Sequence, residues 1–581
     1  MNQTSKSALR RAKDPAFVQR YFAGVGIDID AGTDRLSAYA HLFPRLEGLL
    51  DCDGRQGDVV QLTGVPADAF DFVHVSDCLD GVPNPAQALA RWLEAIKPGG
   101  YLILTVPDED HSETGMSPAS PEVDHKTRFT IHKPQPATPN SVNVLDLVID
   151  AARVASCERL VLIREHDDEA QPQLDPMPHG AGECAIEVVL RKRVVPRPVE
   201  LFEAIDRAGN EAEAIERCRQ ALELYPYHFE TYRRTSVELL RHDRTSVLEA
   251  LWSACVQRLP NEHSARLYSA LGLVALGKLN EGFQQREAFW THIGWHRRTT
   301  AEPPDYPAWK GEVLEGKSIV IWSEFGLGDE MFFFRFARIL REQCGAAHVS
   351  VVCQASLVDL FRASGEANTV CAVEDSQTLA AHDYWVYPHA IPAWLPLDIE
   401  RLPAVVPYLR APGGSAAPIV SGTQGALKVG VVFKGAPTHE NDSYRSLPSL
   451  ALLDSLFALD GVEFYLLQKG EGEEQAAQYA ARLPNVHNLA PRLRTFNDTA
   501  NAVDALDLLI GVDTSLANLA GAMGKPVWLM LPMIGDWRWH YVREDSPWYS
   551  SARLFRQKDA GWPEVVDRIR DALIRLRDRE A

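Results

Sequence analysis

Hydrophobic positions along the 581-residue chain follow different rhythms in successive regions. From residue 20 to about 195, short apolar runs alternate with helical stretches. "GVGIDIDAG", "FDFVHVSD", "PGGYLILTVPDED" and "ECAIEVVLRKR" read as strands of an α/β domain. A polar, Pro-rich stretch at 107–141 and the segment "HDDEAQPQLDPMPHGAGE" interrupt it as loops. From about 198 to 292 the strand pattern gives way to amphipathic helices such as "NEAEAIERCRQALELYP" and "RTSVLEALWSACVQRLP". Pro226 and Pro260 stand 34 residues apart there, and Gly209 and Gly277 stand 68 apart, with Glu213 and Glu281 at the same offset.

From about 303 the α/β pattern returns twice. "KSIVIWSEFGLGDEMFFFRFARIL" is a strand, a glycine turn and a helix, and "HVSVVCQ", "TVCAV" and "DYWVYP" continue as strands. The segment at 410–426, "RAPGGSAAPIVSGTQGA", reads as a linker. "KVGVVFKG", "VEFYLLQKG", "LDLLIGVDTS" and "KPVWLMLP" then form a second strand set. Two α/β units of similar size joined by a linker imply a cleft between them, a favoured place for a ligand.

Length adds a prior of three or four domains of roughly 150 residues each. A hydrophobic share of 46% and a charged share of 24% describe an ordinary globular chain. The net charge of -20 argues against a broad nucleic-acid footprint. The N-terminal "MNQTSKSALRRAKDPAFVQRYF" lacks the apolar core of a secretory signal, and no stretch approaches the roughly 18–20 apolar residues of a membrane span. The nine cysteines form no CxxC pair, and Cys344 and Cys353, the closest two, have no histidine at metal-ligand spacing. Buried reduced thiols in a cytoplasmic protein are expected.

Four features carry chemistry. In "EFGLGDE", Gly326 and Gly328 let the chain turn sharply and approach a ligand, and Asp329 follows at the helix start. Its carboxylate is either a general base facing the cleft or a cap on the helix. Lys434 closes an apolar strand at the ligand-binding edge of a parallel sheet, as a phosphate contact or a solvated strand end. The loop "THENDSYRS" offers His439, Asn441, Asp442, Arg445 and Ser446. In "LDLLIGVDTSLANLAGAMGKPVWLML" a buried strand ends on Asp513, Thr514 and Ser515, and the following helix N-terminus makes an anion site. Asp513 orients that loop or meets a sugar hydroxyl.

Taken in order, "GLGD", "VGVVFKG", "THENDSYRS", "LDLLIGVDTSLANLAGAMGKPVWLMLP", "DWRW" and "DSPWYSSARLFRQ" resemble family 9 glycosyltransferases, the heptosyltransferase-like branch fused to tetratricopeptide repeats. A 34-residue helix-turn-helix period is that of such repeats, and the alternative is a plain helical linker domain. The resemblance covers about 303–575 and implies the GT-B architecture, two Rossmann-like domains with the sugar nucleotide held mainly by the second. It implies Asp329 as general base, a donor site of Lys434, Asn441, Arg445, Asp513, Thr514, Ser515 and Trp537, and no metal. Asp504 and Asp507 do not form a DxD metal motif. Arg538 and Trp539 join Trp537 as residues that line the pocket or its core. The chain departs from the family's "EQGLGDTIQF" at Phe325, Glu330, Met331, Phe332 and Phe333, which changes the expected acceptor-side wall.

The N-terminal "GIDIDAGTDRL" and "FDFVHVSDCLDGVPNPAQALARWLEAIKPGGYLILTVPDED" resemble class I S-adenosylmethionine methyltransferases. That resemblance implies cofactor contacts from Asp28, Gly32, Asp53 and Asp58. Asp30 and Ala31 replace the start of the family's Gly-x-Gly, so a retained scaffold is favoured over methyl transfer.

The expected architecture is therefore α/β multidomain: a methyltransferase-type Rossmann-like domain at 1–195, divergent helical repeats at 198–292, and a GT-B half built from an acceptor-side domain at 303–412 and a nucleotide-sugar domain at 427–581. The expected activity is transfer of a sugar from a nucleotide-diphosphate sugar to an acceptor hydroxyl. The repeats imply a protein or peptide acceptor, on a surface or flagellar protein, in a bacterial cytoplasm. A binding scaffold without catalysis, and a bifunctional enzyme that also methylates, are the alternatives.

Overall fold

The structure is a computed structural model that describes residues 3–29, 33–52, 60, 62–76, 78–109, 127–132, 141–164, 184–292, 302–397, 399, 402, 406–413, 425–439, 441–558 and 561–580. Two compact units account for it: 1–235 with 254–262, and 236–253 with 263–581.

The first unit is built on a six-stranded sheet of β1 (Gly24–Ile29), β2 (Leu46–Cys52), β3 (Phe70–Ser76), β4 (Ile96–Pro107), β7 (Ala155–Arg164) and β8 (Cys184–Lys192), with β5 (Arg128–Thr130) and β6 (Ser141–Asn143) as a separate pair. The order is β2-β1-β3-β4-β8-β7, parallel from β2 to β4, with β8 antiparallel to both its neighbours. Such strands read as near-continuous apolar runs because both faces are covered. Leu89, Trp92 and Leu93 of the helix Pro85–Ala95 cover one face over Val73, Leu102 and Val188, and Phe17, Phe22 and Leu36 cover the other over Phe72 and Ile103. The helix starts where Asn84 accepts a hydrogen bond from the Gln87 N–H and Pro85 takes the first turn. Most of the two expected loops lies outside the described residues.

The helical stretch keeps the 34-residue spacing in three dimensions. Helical elements ending at Leu224, Arg258 and His292 alternate with helices spanning Phe229–Arg241 and His263–Ala275. Pro226 and Pro260 each follow the end of one such helix by two residues, and Gly209 and Gly277 each stand two residues before the start of another. These helices are divided between the two units.

In the second unit the two expected parallel sheets are present. β9 (Ser318–Ile321), β10 (His348–Cys353), β11 (Thr369–Ala372) and β12 (Tyr384–Val386) run in the order β11-β10-β9-β12. β13 (Leu427–Val432), β14 (Val462–Leu466), β15 (Val486–Asn488), β16 (Leu508–Val512), β17 (Val527–Leu531) and β18 (Ala552–Arg556) run in the order β15-β14-β13-β16-β17-β18. All strand pairs in both are parallel. In each sheet the chain winds outward from its first strand and then returns to that strand's other side. The strand order therefore reverses beside β9 and β13, and a crevice opens there at the C-terminal ends of the strands.

Small residues let the helix Ser515–Ala522 lie close beneath its neighbours. Ala517, Ala520 and Ala522 are buried, and a Cβ on Gly521 would stand 2.6 Å from the Tyr549 ring. Met331, Phe332 and Phe333 do not form an acceptor-side wall: all three are buried, with Phe332 against Trp548 and Tyr549. The helix they belong to needs an apolar face to pack, and these positions supply it. Cys157 is exposed where a buried thiol was expected.

Overpacking the close approach of Gly521 should be costly. Gly521→Ala is expected to destabilise the second unit by about 1–3 kcal/mol, seen as a lower thermal transition; an unchanged transition would show that Tyr549 yields freely.

Candidate active site

Five loops meet at the crevice, following β9, β12, β13, β16 and β17. After β9 the backbone passes Glu324 and Phe325, whose φ of +64° is rare for a bulky residue, and turns at Gly326 into the helix Leu327–Phe333. Asp329 sits in the first turn and its Oδ2 accepts a hydrogen bond from the Gly326 N–H at 3.1 Å. The capping role is therefore real. The other oxygen, Oδ1, is paired with the Arg538 guanidinium and lies 3.6 Å from Nε2 of His389.

Burial alone would raise Asp329, but Arg538, then His389 and the Gly326 N–H, outweigh it and hold the carboxyl well below the usual carboxylate range. Arg538 is itself shared. Nη1 binds Asp536 at 2.8 Å, the guanidinium lies 4.3 Å from the Trp537 ring centre and 4.8 Å from that of Phe332, and its buried Nε has no partner among the described residues. Trp537 is buried and forms the floor beneath this cation, packed edge-on against Phe332 and Phe283.

The loop after β16 brings Asp513, Thr514 and Ser515 to the same place. Thr514 precedes the helix Ser515–Ala522 in extended conformation, and its buried Oγ1 has no partner among the described residues. A Cβ on Gly328 would lie 3.3 Å from Nδ2 of Asn518 and 3.7 Å from the Ser515 nitrogen, so the two glycine-turn and hydroxyl motifs touch. Asp513 is pushed up, first by burial and then by the nearby Asp536 charge, with Arg538 and Arg445 pulling the other way. Three carboxylates and two guanidiniums thus share one partly exposed cluster.

The loop after β13 is held by side chains. Ser446 donates to Asp442, which also meets Arg445 at 3.3 Å, and the Gly435 N–H donates to Ser446. Gln468, unmarked in the sequence, accepts the N–H groups of Phe433 and Lys434 and donates to the carbonyls of Lys434, Lys469 and Glu471. Lys434 reaches Glu471 at 3.0 Å, a pair that has to part before its ammonium serves a phosphate. Asn441 is exposed at the rim, its backbone N–H on Nδ1 of His439.

Of the expected S-adenosylmethionine contacts, Gly32, Asp53 and Asp58 lie outside the described residues. Asp28 is committed internally: Oδ2 accepts the Leu36 N–H at 2.8 Å and Oδ1 meets Nδ1 of His74 at 2.6 Å. His74 contacts Arg11, which pairs with Glu187. Asp51, near the end of β2, keeps one buried oxygen without a partner among the described residues. The described residues do not complete a cofactor site.

Residues 15–135 match the family model of a methyltransferase domain. Protein FlbA of Caulobacter vibrioides is 27% identical over 337 residues, 52% of this chain, and the match spans only about half (53%) of FlbA's own length. Among solved structures, the ADP-heptose lipopolysaccharide heptosyltransferase II of E. coli is 16% identical, covering 45% of this chain and 99% of that one at a TM-score of 0.34. A family 9 glycosyl transferase of Veillonella parvula is 12% identical, covering 46% and 99% at a TM-score of 0.34. Among the described residues no helix is long and apolar enough to cross a membrane.

Glu330, beside the site, is buried and pushed up to about 7, chiefly by burial, against hydrogen bonds from Ser323 and the Gln354 N–H. Its ordinary value is near 4.5, so the folded chain holds a proton that the unfolded chain has released between those two values. Stability from this group is full below about pH 4.5 and lost as pH rises to about 7, by at most about 3 kcal/mol. Glu330→Gln should remove that slope; thermal transitions of both proteins at pH 5 and pH 8 check it, and equal slopes would refute it.

Proposed function

We propose that the second unit transfers a sugar from a nucleotide-diphosphate sugar to an acceptor hydroxyl. The observation that carries this is the meeting, at the reversal points of two parallel sheets, of Asp329, Arg538 and the open helix start at Thr514. An unpaired hydroxyl, free helix N–H groups and a guanidinium with an unused N–H suit a diphosphate.

In the resting arrangement Asp329 is a feeble base because Arg538 neutralises it. A diphosphate at Thr514 and Ser515 offers Arg538 a doubly charged partner. As the guanidinium turns to it, Asp329 regains proton affinity. The acceptor oxygen then attacks the anomeric carbon, its proton passes to Asp329, and the bond to the diphosphate breaks with its electrons going to the leaving phosphate oxygen. Arg538, the helix dipole and Lys434, once released from Glu471, stabilise that charge. Asp513 serves the loop or a sugar hydroxyl, and Asn441 lies at the donor's outer rim.

The reading includes the four-part layout with boundaries at 195, 198–292, 303–412 and 427. The 34-residue spacing is that of tetratricopeptide repeats, whose concave faces hold peptides, and supports a protein acceptor on a surface or flagellar protein. The N-terminal domain enters as a scaffold.

A thermal-shift screen of the full chain against nucleotide sugars tests the donor. Ligand at a hundred times its dissociation constant should stabilise by about 2.7 kcal/mol, and Thr514→Val with Arg538→Ala should abolish the shift. Asp329→Asn should keep the shift yet lower turnover by about 10²–10⁴-fold. No shift with any nucleotide, or full turnover in the Asp329 variant, would favour the scaffold instead.

A further inference from the structure

Behind Asp329 lies a second layer of acid and imidazole that the mechanism above does not use. Glu324 follows β9 and His389 follows β12, and both are buried. Oε2 of Glu324 lies 3.1 Å from Nδ1 of His389 and also accepts the His389 backbone N–H at 3.4 Å. An oxygen already accepting one N–H is an acceptor towards the ring as well, so the hydrogen sits on Nδ1. The other ring nitrogen, Nε2, faces Oδ1 of Asp329 at 3.6 Å. Phe333, its ring centre 4.2 Å away, and Phe325, 4.7 Å away, fix the imidazole between them.

We propose that His389, oriented by Glu324, is a positioning residue and proton relay for Asp329. The inference rests on the transferase reading of the site. At rest Asp329 is ionised against Arg538, and its 3.6 Å separation from Nε2 is longer than a hydrogen bond; the relay starts from a ring whose Nε2 is free to accept. When Asp329 takes the acceptor's proton, an O–H to Nε2 bond forms and the proton moves to the ring. The imidazolium then lies between Glu324 and the restored Asp329 carboxylate. The proton returns to solvent through Asp329 after the nucleotide leaves, so the cycle balances. The groups that bear on the ring's charge are Glu324, Asp329 and, through Asp329, Arg538; Glu330 lies on the same turn as Asp329, and Arg286 lies over the Phe325 ring at 5.4 Å. The arrangement gives the proton a place beyond Asp329, so the carboxylate is free again before Arg538 returns to it.

His389→Asn keeps an N–H for Glu324 and removes the nitrogen that accepts the proton. In the full chain, with the donor found by thermal shift, it should bind donor within about twofold of wild type, lower kcat about 10²-fold, and abolish the acid limb of the kcat–pH profile. Glu324→Gln should move that limb to lower pH, because the imidazolium loses its counter-charge. A kcat within threefold of wild type with an unmoved limb in His389→Asn would overturn the relay. Imidazole ¹⁵N resonances of the full chain give a readout that needs no turnover. The relay requires the Nδ1–H form of His389 and a titration that shifts in Asp329→Asn; an Nε2–H form or an unchanged titration would overturn it. A wild-type protein that transfers no sugar from any donor would refute the transferase reading, and the resonances would still decide whether the two side chains are coupled.

Discussion

A partly buried ion pair between Asp329 and Arg538, 209 residues apart in the chain, ties the two parallel sheets of the second unit together at their C-terminal edges. Each partner has a further contact, Arg538 with Asp536 and Asp329 with the Gly326 N–H, so either can let go without being left alone. The pair is also crowded. Asp536 and Asp513 press on the same guanidinium, and Arg445 only partly relieves them. Excess negative charge in a desolvated pocket costs free energy unless a cation or a rearrangement relieves it. In the function proposed above, the carboxylates hold the arginine until a diphosphate takes their place.

A second buried arginine shows what a purely structural solution looks like. Arg335 donates to the carbonyls of Phe332 and Trp548 and to the Tyr408 hydroxyl, and is faced by the rings of Phe332, Tyr408 and Tyr549. Every neighbour there is neutral and fixed by packing, so nothing on the molecule asks that cation to move. Arg538 differs in having anionic partners and a buried N–H to spare among the described residues.

Much of this was legible in order and little of it in pairing. The strand ending on Asp513, Thr514 and Ser515, the glycine turn at 326–328 and the 34-residue spacing of prolines are local patterns, and local patterns survive in a one-dimensional reading. Met331, Phe332 and Phe333 were misread because a family difference was taken for a surface when helical periodicity assigns those positions to the core. Arg538 stood in view between two tryptophans, but its partnership with Asp329 is made by the meeting of two sheets. Glu324 and His389 are 65 residues apart and come together only because β9 and β12 are neighbours in the sheet. A histidine just past the C-terminal end of a parallel strand was the available signal. Gln468 left none, since its work is all with backbone groups.

The most direct measurement is a structure of the full chain with the nucleoside diphosphate selected by thermal shift. The account predicts the diphosphate at Thr514 and Ser515, with the Arg538 guanidinium turned to it and Asp329 released. A bound diphosphate with the Asp329–Arg538 pair intact, or seated away from this helix start, would contradict the central claim.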